Sequence, residues 1–128
     1  MKKIFATKAI LCVLALGVLE SGAWAATQAL VTAPAESPFG NSTALYCQAV
    51  NAGTKPIDVT IESHNATGAV VSTKGPLTLA PGEVGFFLET LAAHYCRFVV
   101  NGSKRNVRAM AIYYDGPGQR YLFSVPAQ

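Results

Sequence analysis

The stretch AHYCRFVV (residues 93–100) sets one cysteine among a histidine, a tyrosine and an arginine. The fold turns on whether Cys96 is a reagent or a staple. Cys96, Phe98 and Val100 share one parity, and Arg97 and Val99 the other, as in a half-buried strand. TALYCQAV (43–50) repeats the pattern, with Leu45, Cys47 and Ala49 on one parity. Each cysteine therefore sits mid-strand among apolar neighbours. His94 shares the parity of Cys96 but lies roughly 6–7 Å along an extended strand, too far for a tight thiolate–imidazole pair. No C-x-x-C spacing is present. Two such strands in opposing sheets would bring Cys47 and Cys96 together across a core. Closing a loop of about fifty residues is worth ~4 kcal/mol on the chain-entropy model, a large share of a small domain's ~5–15 kcal/mol. A disulfide between Cys47 and Cys96 is expected.

The beginning of the chain supports this chemistry. MKKIFATK carries Lys2, Lys3 and Lys8, an apolar run follows from Ala9 to Leu19, and Ala23-Trp24-Ala25 places small residues where a signal peptidase reads. Residues 1–25 are expected to be a secretory signal peptide, cut between Ala25 and Ala26. The run is too short to span a bilayer, which takes about twenty residues, and no membrane span is expected once it is removed. The Met-Lys-Lys start is bacterial in style, so the destination is periplasmic or secreted. Of the 128 residues, 26–128 then remain, enough for one core. They carry seven basic and six acidic residues, so the whole-chain charge of +3 falls to +1. Such a balance gives no basic face for nucleic acid. Two cysteines remain, an even pair suited to an oxidising compartment.

The rest of the mature chain continues in steps of two. Gln28–Ala33 is a candidate edge strand, and Pro34–Ser42 reads as a loop. Further strands are expected over 56–63, 68–73, 75–80, 83–90, 94–101, 105–114 and 119–125. Asn65–Gly68, Pro81-Gly82, Asn101–Ser103 and Asp115–Gly118 punctuate them with turn residues. The expectation is an all-β chain: an antiparallel β-sandwich of seven or eight strands, immunoglobulin- or fibronectin-III-like, with one inter-sheet disulfide. Residues 26–42 would form an N-terminal strand and loop, and 43–128 the sandwich core of a single domain.

Short turns suggest hairpins. A two-residue loop at Gly102-Ser103 pairs Asn101 with Lys104, and Phe98 with Val107. A loop at Asn101-Gly102 slips the pairing by two; both registers keep Arg97 and Arg108 on the outward parity. In the last hairpin, a four-residue loop sends Tyr121 and Phe123 to the Met110 side, and a three-residue loop sends them to the Ala109 side. The second buries Phe123 and Val125 and is favoured. Strand 105–114 is apolar on both parities. Arg97, Val99, Arg108, Met110 and Ile112 are therefore the candidate interaction face, since Arg and Met are enriched at interfaces. The occupant is another protein or a second copy; a covering loop or strand is the alternative.

LYCQAV (45–50), YCRFVV (95–100) and the L-x-P-G-E turn (79–83) resemble an immunoglobulin-like sandwich with its cysteines on strands B and F. The core tryptophan of that fold is absent from the mature chain, and Tyr95 stands one residue before the second cysteine rather than two. The chain is more similar to small exported bacterial proteins of unknown function, through C-x-x-x-N (Cys47 to Asn51), the PGE turn and GSKR-x-VRA (Gly102 to Ala109). That resemblance implies a sandwich and no known active site.

Other chemistry finds little support. No histidine follows Cys96, which excludes a blue-copper loop. A zinc site would need His64 and His94 to converge with Glu62 or Glu89, whereas both histidines read as surface or rim residues. No G-x-S-x-G is present. The N-x-S/T triplets at Asn41, Asn65 and Asn101 read as turn residues. No catalytic residue, metal or cofactor is expected. The reading is an exported, non-enzymatic binding or structural module, with a periplasmic small-ligand or metal-binding protein as the alternative.

Overall fold

The computed structural model describes residues 26–34, 43–89, 93–115 and 120–128. The expected signal segment and most of the 34–42 loop lie outside them. Eight strands run in chain order: β1 (Thr27–Val31), β2 (Thr43–Asn51), β3 (Ile57–His64), β4 (Val70–Leu79), β5 (Val84–Glu89), β6 (Tyr95–Asn101), β7 (Val107–Asp115) and β8 (Arg120–Pro126). They form two four-stranded antiparallel sheets, ordered β1-β6-β3-β4 and β5-β2-β7-β8. The sandwich and its inter-sheet disulfide are thus as expected: β2 in one sheet carries Cys47, β6 in the other carries Cys96, and their Cα atoms lie 5.7 Å apart. The β2–β5 and β3–β6 neighbours are those of an immunoglobulin sandwich. The first and seventh strands stand in exchanged places, β1 beside β6 and β7 beside β2.

Period-two patterning builds the core. Leu45, Cys47 and Ala49 of β2, Val59 and Ile61 of β3, Cys96, Phe98 and Val100 of β6, and Val107, Ala111 and Tyr113 of β7 are all buried. Two polar residues pin the core's margins. Thr32 Oγ1 accepts the Cys96 N–H at 3.0 Å, holding the end of β1 against the disulfide. Asn51 is fully buried. Its Nδ2 donates to the Lys55 and Leu79 carbonyls at 2.8 and 2.9 Å, and its Oδ1 accepts the Gly53 N–H at 2.9 Å. The asparagine of the C-x-x-x-N pattern thereby ties the end of β2 to β4 and to the following loop. On one flank the sheets meet where Val31 and Gln128 exchange backbone hydrogen bonds of 3.1 and 3.2 Å.

Three expectations require correction. Segments 68–73 and 75–80 are one strand, β4, with an irregularity where Gly75 and Pro76 stand opposite Thr60. Segments 94–101 and 105–114 do not form a hairpin. β6 already has β1 and β3 on its two sides, so the chain turns through a single 3₁₀ turn (Lys104–Asn106) and crosses to the other sheet, where β7 pairs with β2. In the last hairpin Asp115 pairs with Arg120, and an irregularity beside Tyr113 separates the two neighbours. Phe123 and Val125 pack against the core, as favoured, while Tyr121 lies opposite Tyr114 on the outward side.

Candidate interaction face

The crossing of β6 to β7 divides the expected interaction face. Arg97 and Val99 lie on the outer side of the β1-β6-β3-β4 sheet; Arg108, Met110 and Ile112 lie on the outer side of the other sheet. These five residues do not form one surface.

Around Arg97 the outer surface is polar and internally satisfied. Its Nη1 donates to Glu62 Oε2 at 2.8 Å, and the same oxygen lies 3.1 Å from His64 Nε2. His64 is buried, not a surface residue, and stacks on Tyr95 with ring centroids 4.9 Å apart. Its Nδ1 lies 3.0 Å from the Gly68 carbonyl. Burial pushes the Glu62 carboxyl upward, but the hydrogen bonds from Arg97 and His64 and the nearby positive charge outweigh it and hold the group below its ordinary value. The His94 N–H donates to the His64 carbonyl at 2.7 Å, so the two histidines are neighbours through backbone. Both ring nitrogens of His64 are engaged, and no cluster of three or more metal-ligating side chains occurs among the described residues.

The outer side of β5-β2-β7-β8 has a different character. Register places Val84, Val50 and Arg108 in one row, Phe86, Gln48, Met110 and Pro126 in the next, and Leu88, Tyr46, Ile112 and Ser124 in a third. Tyr114 and Tyr121 extend the surface at the far end. Phe86 is 55% exposed and Tyr121 57%, and Val84, Leu88 and Met110 are exposed as well. Four aromatic rings cross the sheet diagonally, one per strand. Phe86 and Tyr46 are 6.5 Å apart, Tyr46 and Tyr114 5.2 Å, and Tyr114 and Tyr121 6.2 Å. Lys74 Nζ sits 5.2 Å from the Phe86 ring centroid and donates to the Phe86 carbonyl at 3.1 Å. No carboxylate stands on this outward parity among the described residues. Among the described residues the charged groups at the surface are the cations Lys74 and Arg108, with Glu83 beside Lys74 at the β5 edge.

The sequence explains why these residues face outward. On β5 the inward parity belongs to Gly85 and Phe87, because the strand lies close against β4. A Cβ on Gly85 would come within 3.1 Å of the Leu77 and Leu79 methyls. Val84, Phe86 and Leu88 are thereby turned to solvent. Arg108, Met110 and Ile112 were legible in the two-sided apolarity of β7. Tyr46, Val84, Phe86, Leu88, Tyr114 and Tyr121 were missed. The available signal was the lone glycine on one parity of β5, set against three bulky residues on the other.

No protein family, curated protein or solved structure matches the chain. Among the described residues, no helix is long and apolar enough to cross a membrane.

Proposed function

We propose that the protein is an exported, non-enzymatic binding module, secreted or periplasmic, that holds a partner protein against the outer face of β5-β2-β7-β8. One observation carries this reading: exposed Val84, Phe86, Leu88, Met110 and Tyr121 share a single sheet face, joined through Tyr46 and Tyr114. Contiguous exposed apolar surface of this kind marks interaction sites, and aromatic residues, Met and Arg are the side chains enriched there. The disulfide suits an oxidising compartment. The charge pattern selects the partner. A second copy would meet Lys74 and Arg108 with only Glu83 at the β5 edge, already accepting the Ala80 N–H, whereas an apolar partner surface bearing Asp or Glu complements both cations.

Photo-crosslinking in the native host tests this. A benzophenone side chain at position 86 or 112 is expected to capture one common partner, and the same group at position 60, on the other sheet's outer side, to capture none. Binding of that purified partner should weaken at least tenfold in Phe86→Ser and in Arg108→Glu, with circular dichroism unchanged. Capture of the protein by itself, or equal capture from position 60, would overturn the proposal.

A further inference from the structure

A second feature lies where β1, the 3₁₀ turn and the ends of β7 and β8 meet. There the sandwich opens into a hollow of about 450 Å³, within the size range of small-molecule sites. Its floor is Leu30 from one sheet and Val107 and Ala109 from the other, all core residues. The hollow therefore reaches the seam between the layers. Its rim carries Lys104, Arg105 and Arg108, three of the seven basic residues that follow Ala25. Lys104 and Arg105 are exposed, and among the described residues no carboxylate side chain lines the hollow. Among the described residues these three cations make no ion pair. Arg108 is braced instead, its Nη1 donating to the Arg105 and Val107 carbonyls at 2.9 and 3.3 Å. The Lys104 N–H donates to Gln28 Oε1 at 2.9 Å, tying the turn to β1. A terminal carboxylate on Gln128 would offset one positive charge and leave two.

An apolar floor under a cationic rim matches one ligand chemistry. We infer that this hollow binds an amphiphilic organic anion, with its carboxylate or similar head at Lys104 and Arg105 and its apolar body against Leu30, Val107 and Ala109. This goes beyond the partner-binding reading; the hollow touches that face at Arg108, Met110 and Pro126. Charge repulsion among three neighbouring cations is relieved by the anionic head, while the body covers the apolar lining, including the more exposed Met110, Pro126 and Ala127.

The mature protein, residues 26–128, is titrated with decanoate below its micellar concentration and followed by amide chemical shifts. Saturable binding is expected, with the largest shifts at Lys104, Arg105, Val107 and Ala127. Affinity should fall at least tenfold for decanol, which lacks the charge, and at least tenfold in Lys104→Glu/Arg105→Glu, whose substituted side chains are exposed and outside the core. Inorganic sulfate alone should not reproduce the shifts. Phosphatidylglycerol vesicles separate the two sources of such a head group: co-sedimentation without decanoate binding would mean a membrane surface and would overturn the inference. Equal affinity for decanol, an unchanged double variant, or shifts centred on Phe86 and Tyr46 would also overturn it. The double variant should leave crosslinking from position 86 intact, so failure here is distinct from failure of the partner reading.

Discussion

Glu62 serves two basic side chains with one oxygen, and its pKa carries a stability signature. Because the folded carboxyl titrates below its ordinary value of 4.5, its contribution is fully present above that pH. It is lost as pH falls through the folded value, where the carboxylate takes up its proton. Wild type should therefore lose stability below about pH 4.5 relative to its own value at pH 6, and Glu62→Gln should show a flatter profile there. Urea midpoints at half-unit pH steps measure this, and parallel profiles would refute it. The shared parity of Glu62 and His64 was visible in the sequence. The link to Arg97 was not, because it depends on β3 lying beside β6, a pairing between segments thirty-five residues apart. The burial of His64 was hidden for the same reason: its cover is Tyr95, from the neighbouring strand.

At the scale of elements, local alternation located the strands, splitting only β4 in two, but did not say which neighbour each would take. Asn101-Gly102-Ser103 has the composition of a hairpin turn, and the hairpin reading fails only because both sides of β6 are occupied. On β5 the parity rule, which sends the bulkier set inward, is reversed by packing against β4. The irregularity in β4 makes its own demand. Gly75 has φ +122°, and a Cβ there would lie 2.9 Å from the Val59 carbonyl oxygen. Gly82, in the Pro-Gly turn, has φ +80° with nothing within 4 Å of such a Cβ. Gly82→Ala should cost about 1–2 kcal/mol, the backbone term of a left-handed residue. Gly75→Ala should cost more, since a steric clash with backbone adds to it. Denaturant midpoints of the two variants decide the order, and equal losses would remove the clash from the account.

Over the whole molecule, the disulfide is the one covalent link between side chains of the two layers among the described residues. Its sequence separation is 49, so on the chain-entropy model it contributes about 4 kcal/mol. Cys47→Ala/Cys96→Ala should lower unfolding free energy by about 2–5 kcal/mol, read from urea titration of the purified protein. A loss below 1 kcal/mol would mean that packing alone holds the sheets together. What the sequence by itself determined was the class: strand periodicity, turn residues and two cysteines on inward parities specify a stapled β-sandwich, because each is a local property of a few residues. Tertiary structure alone decided the strand order, and with it the surfaces. Arg97 and Arg108 share an outward parity in the chain, yet face opposite sides of the molecule. The reason is physical: parity assigns a side chain to inside or outside, whereas which outside it joins depends on hydrogen-bond partners distant in sequence. The aromatic face of β5-β2-β7-β8 and the cation-rimmed hollow both arise from that choice.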